Sequence, residues 1–173
     1  KFLIKRLLKY FLGPLTQRRH GIRTLVYHKF QEDCETVNDC RSKPISDFVS
    51  ELKFLVESGQ SFIGPRSDFG APSADKGLLI QITIDDGCES ILHAVDILNI
   101  FKVPFSIFMV AGSVGTAGFL SASQLRELSA NPLCTIGSHS MTHRSLIGLD
   151  QKSVNFEIVQ SRQVLEDIIG VAV

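Results

Sequence analysis

Residues 78–90 read "LLIQITIDDGCES": an aliphatic, β-branched run that ends in two adjacent aspartates, Asp85 and Asp86, followed by Gly87. The run is apolar almost throughout, with no strict alternation, which is the signature of a parallel strand covered by helices. In folds built on such strands, chemistry collects at the carboxyl ends. Two neighbouring carboxylates there repel each other, so something must offset their charge.

Working outward from this strand, apolar segments alternate with helical patterns. Toward the amino terminus, "IRTLVYHKF" (22–30) has strand composition, and "SDFVSELKFLVESG" (46–59) carries Phe48, Leu52 and Leu55 at helical spacing, with Gly59 as a stop. Residues 64–77 are rich in turn formers and read as a loop. Toward the carboxyl terminus, 90–101 reads as a helix, "VPFSIFMV" (103–110) as a strand, and 111–118 as a Gly-rich loop. Ser121 with Gln124 forms a capping-box pattern before "ASQLRELSA". A short strand at 133–136 then precedes "GSHSMTHRS". Asp150 is expected to cap a last helix whose Val154, Ile158, Leu165 and Ile169 face the core until Gly170 ends it, and "VAV" (171–173) has the composition of a further strand. The order of elements indicates an α/β fold with parallel strands covered by helices, either a doubly wound sheet or a (β/α) barrel.

Composition narrows the function. The 173 residues are 44% hydrophobic and 21% charged, as in one globular domain, and 18 basic against 18 acidic residues give zero formal charge. No overall field attracts a polyanion, so nucleic acid is not an expected partner. The four cysteines, at 34, 40, 88 and 134, contain no C-x-x-C pair and read as reduced thiols, with a Cys34–Cys40 disulfide open only to an exported protein. Residues 1–20 form a basic amphipathic pattern stopped at Gly13-Pro14. Two readings stay open for it: peripheral membrane contact through residues 1–12, or a helix packed on the domain with its lysines in water.

The strand-end positions bring four groups to one rim: Asp85, Asp86, His139 and His143. Two imidazoles four residues apart fall on one side of a helical turn, and with one carboxylate they make the three-ligand set of a catalytic zinc or similar divalent site. A cation would also offset the paired aspartates. Each motif alone has a plain alternative, since D-D-G is common in solvated turns and H-x-x-x-H in surface pairs. Their joint placement after apolar strands of one sheet favours a metal.

"ITIDDG" followed by "IGSHSMTHRSL" resembles the first two motifs, T-F-D-D-G and H-S/T-x-x-H, of the polysaccharide deacetylase family of metal-dependent sugar N-deacetylases, and the resemblance runs from about "LVYHKF" to the last residue. It implies a distorted, incomplete (β/α) barrel, residues 21–173 being its amino-terminal portion. It makes Asp85 the catalytic base and Asp86, His139 and His143 the ligands of a divalent metal, most simply Zn²⁺. Ser140 and Thr83 would support them, and two readings stay open for His28, a residue of the substrate pocket or a capped strand end. The implied substrate is an N-acetylated glycan, and the implied setting is the bacterial cell envelope or the cytoplasmic face of the membrane. Ile84 stands where the family usually has phenylalanine. The arginine and the proton-donating histidine that relatives carry on later strands have no counterpart before Val173. The resemblance is therefore compatible with a deacetylase, the fragment alone being inactive, or with a glycan-binding module that keeps fold and metal, and the segment is expected to expose an aggregation-prone sheet edge. A paired-acid glycoside hydrolase fits poorly, because its carboxyls flank a bond at about 5 Å or more and adjacent residues in one turn do not.

Overall fold

A computed structural model describes residues 21–32, 41–64 and 78–173. The basic segment 1–20, Cys34 and Cys40, and most of the 64–77 loop lie outside the described residues.

The apolar run ending in the two aspartates forms a strand, β5 (Leu78–Asp86). It pairs in parallel with β1 (Gly21–Tyr27) along one side. Along the other it meets β4 (Ser61–Phe62) early and β6 (Phe105–Met109) late, and β7 (Cys134–Ser138) follows β6, also in parallel. A separate parallel pair joins β2 (Lys29–Gln31) to β3 (Ser42–Pro44). The helices are α1 (Ile45–Glu57), α2 (Leu92–Phe101), α3 (Ala122–Ala130), α4 (Gln151–Asn155) and α5 (Ser161–Ile169), the last two joined by a π-helical turn, Phe156–Gln160.

Alternation along the strands assigns the two faces of the sheet. Ile80, Ile82 and Ile84 are buried together with Phe48 and Leu52 of α1 and Ala94 and Leu98 of α2. The opposite face is open at β1, where Ile22 and Val26 are exposed. Asp85 belongs to the register of that second face and Ile84 to the core. Ser121 and Gln124 make the expected capping box, and Gly170 ends α5 in the left-handed conformation.

Four expectations are corrected. The first strand is broken at His28, between β1 and β2, where Tyr27 and Phe30 turn to pack on Phe48. Residues 139–143 are an irregular bend instead of a helical turn, because Ser140 and His143 take φ values of 67° and 59°. The last helix does not bury Ile158, which is 48% exposed. Glu157 takes the inward position, where its carboxylate accepts from the Met141 and Thr142 N–H groups of the histidine segment. Finally, residues 171–173 form no strand, and the Val173 N–H instead donates to Glu166 at 3.1 Å. No helix among the described residues is long and apolar enough to cross a membrane.

Candidate metal centre

The sheet register aligns the strand ends. Asp86 pairs with Met109, and Met109 with Ser138, so the two sequence motifs leave the sheet at one level on either side of β6. The His139 N–H donates to the Met109 carbonyl at 2.8 Å, which fixes the first histidine one residue beyond that row.

Successive side chains on a strand point to opposite faces, yet both aspartates reach the rim. The backbone accounts for this. Asp86 sits at φ 69° and Gly87 at φ 81°, both left-handed, so the alternation ends at Asp85. Gly87 is required twice over, because a Cβ there would lie 1.9 Å from the Met109 sulfur.

The histidine segment is built differently. The Ala111 and Gly112 N–H groups donate to the Ser140 and Met141 carbonyls at 3.0 and 2.9 Å. Inside the bend, the His143 N–H donates to Ser140 Oγ at 2.9 Å. From the other side, Glu157 accepts from the Met141 and Thr142 N–H groups at 3.0 and 2.8 Å and from Thr142 Oγ1 at 2.6 Å. Burial opposes ionisation of Glu157, but these bonds, aided by the charge of Arg144, hold its carboxyl below its ordinary value of 4.5.

The result brings Asp86, His139 and His143 together, with their ligand atoms all within 4.8 Å of one another. Asp86 Oδ1 lies 3.6 Å from Nε2 of each histidine. At that distance neither contact is a good hydrogen bond, and Oδ1 is buried without a protein partner. Ligands of a tetrahedral zinc at about 2.0–2.1 Å lie about 3.4 Å apart. The donor set, one oxygen and two nitrogens, and its spacing therefore fit a divalent cation. Asp86 is 14% exposed and His143 52%, so the site is closed on the sheet side and open on the other.

Asp85 lies beside this cluster. Burial raises its carboxyl above the ordinary 3.8, and Asp86 adds to the rise, while the charges of His139, His28 and His143 act against it. His28 is near enough for its charge to act on Asp85. It follows Tyr27, whose hydroxyl donates to Glu51 at 3.2 Å, with Lys43 2.6 Å from the same carboxylate. Thr83 is buried two residues before Asp85. Two residues were missed from sequence. Arg41 approaches Asp86 Oδ2 at 3.8 Å, and no local pattern points to it. Glu157 had a signal: with Ser161 it interrupts the apolar stripe of the last helix at a spacing of four.

Comparison with known proteins agrees with this architecture. The polysaccharide deacetylase family model matches residues 73–173, more than half of the chain. A curated relative, YxkH of Bacillus subtilis (strain 168), named for a polysaccharide deacetylase, is 24% identical over 157 residues, covering 88% of this chain and 54% of its own. The fold matches BC0361, a polysaccharide deacetylase from Bacillus cereus, with a TM-score of 0.77 at 22% identity over 89% of this chain and 49% of that one. It also matches the Streptococcus pyogenes deacetylase PplD, solved in complex with acetate, with a TM-score of 0.74 at 20% identity over 87% of this chain and 70% of that one. The chain thus spans about half the length of the curated relative it matches. With its parallel α/β sheet and its Asp86–His139–His143 cluster, the chain belongs to the polysaccharide deacetylase family.

Proposed function

We propose that this chain carries the base and the metal-holding residues of a divalent-metal-dependent N-deacetylase acting on acetylated glycans. The observation that carries this reading is the buried, unpartnered Asp86 oxygen set between two histidine nitrogens, with Asp85 next to it. Asp86, His139 and His143 would hold the cation, Zn²⁺ being the best match to one carboxylate and two imidazoles. Such an ion, when bound, lowers the pKa of a coordinated water from about 15.7 to roughly 7 and polarises a carbonyl oxygen.

The remaining roles belong to the chain's own groups. Asp85 accepts the proton of the water that attacks the acetamide carbon. Its burial brings its basicity nearer to neutral pH than an exposed carboxylate's, as a general base requires. The C–N bond then breaks as the proton taken from the water passes to the leaving nitrogen, and acetate and a free amino sugar leave. The exposed side of His143 gives the glycan its approach, and His28 lines the pocket beside Asp85. Ser140 keeps the bend that presents His143.

The test uses the protein at its natural length. Asp86→Ala and His139→Ala should each lose one bound divalent ion per chain, whereas Asp85→Asn should keep the ion and release no acetate from an acetylated oligosaccharide. A wild-type protein without bound metal would sink the reading. Metal and glycan binding without acetate release would instead make it a binding module.

A further inference from the structure

Two of the inward positions of the last helical segment are polar. Glu157 is 1% exposed and Ser161 fully buried, next to the apolar Leu165. Burying a carboxylate is costly unless its oxygens are hydrogen-bonded. Among the described residues, every hydrogen bond that Glu157 accepts comes from one dipeptide, Met141-Thr142. The Ser161 hydroxyl lies 3.0 Å from the Ile158 carbonyl, to which it can donate, and 2.8 Å from the Ser138 hydroxyl, a contact in which either group can be the donor. Ser138 immediately precedes His139, and Thr142 immediately precedes His143.

Both polar groups of this helical segment therefore end on the short stretch that carries the two histidines. That stretch is the part of the site that most needs holding. Ser140 and His143 occupy the left-handed region, which costs non-glycine residues about 1 kcal/mol or more each and persists only when neighbours over-determine it. Its carbonyls are bound by residues 111 and 112 on one side, and its N–H groups by Glu157 on the other. The π-helical turn Phe156–Gln160, which carries Glu157, is the kind of local irregularity found at functional positions.

We propose that Glu157 and Ser161 are positioning residues that set the spacing of His139 and His143 for a divalent cation, acting through the main chain of residues 138–142. Neither touches the ligand nitrogens. This rests on the metal reading above.

Co²⁺ binding, followed by its visible absorption in the protein at natural length, tests it. Glu157→Gln should weaken Co²⁺ binding about 10- to 100-fold, the usual cost of removing an outer support of a metal ligand, and should change the band intensity. Ser161→Ala should act in the same direction by less. Leu98→Ala, in the helix-covered core on α2, should lower Tm and leave Co²⁺ affinity unchanged. Wild-type affinity in a folded Glu157→Gln protein, or an equal loss in Leu98→Ala, overturns the positioning role. Should Glu157→Gln not fold, Ser161→Ala decides: undiminished affinity overturns the proposal, and weakened affinity supports it. A wild-type protein that binds no Co²⁺ overturns the metal reading, and the positioning role with it.

Discussion

The aspartate turn and the histidine bend sit at one level of the same sheet and reach the same point, but they are held in place by different means. The turn at Asp86-Gly87 is shaped by its own backbone and by the space that Gly87 leaves for Met109. The bend at 138–143 has no glycine among its left-handed residues and relies on side chains, Ser140 within it and Glu157 and Ser161 far along the chain. One half of the site is thus a local property of a few residues, and the other half is a tertiary property.

The largest effect that separates the two is expected at Gly87. Gly87→Ala adds a Cβ onto the buried Met109 sulfur and puts a side chain at φ 81°, so it should cost about 2–4 kcal/mol in urea denaturation. A loss below about 1 kcal/mol would mean that the turn is not sterically defined.

The histidine bend should respond to pH instead. The native Glu157 carboxyl lies below its unfolded value of 4.5, so its ionised form contributes stability above pH 4.5, and that contribution is lost as pH falls through the depressed native value. Glu157→Gln should accordingly show a shallower fall in stability across this acid range than the wild type. Parallel pH profiles would remove the carboxylate from the account of the bend.

The smallest effects belong to Ser140. Ser140→Ala loses the bond to His143 and keeps the strained backbone, at about 1 kcal/mol. In Ser140→Gly the loss of the same bond is offset by relief of a left-handed strain of about 1 kcal/mol, which should leave Tm nearly unchanged. If both variants lose stability equally, the φ of 67° carries no strain.

This division also explains what could be read from sequence. The β5 strand, the Asp-Asp-Gly ending, the Ser121–Gln124 capping box and the Gly170 stop are all written in adjacent residues, and all appear in the structure. The same local reading placed a helical turn at 139–143, because H-x-x-x-H spacing suits one. It could not register that residues 111, 112 and 157 would claim the peptide groups of that segment. It assigned Ile158 to the core on hydrophobicity, whereas a buried acceptor was needed one position earlier. Arg41 reaches Asp86 from another part of the chain, and no periodicity encodes that approach.

Met109 gives the sheet a further property. It contributes no ligand, yet its carbonyl receives the His139 N–H, its sulfur lies under Gly87, and its backbone pairs with both Asp86 and Ser138. β6 is therefore the ruler of the site. Of the segments between the motifs, only those that touch neither ligand turn can lengthen or shorten without moving the ligands, which excludes Ala111 and Gly112, bound to the Ser140 and Met141 carbonyls. A slip of β6 by a single residue, by contrast, would turn the Met109 side chain to the opposite face and misalign both motifs at once. Drift in this chain should therefore be resisted in the five residues of Phe105–Met109 and in Ala111 and Gly112 just beyond them.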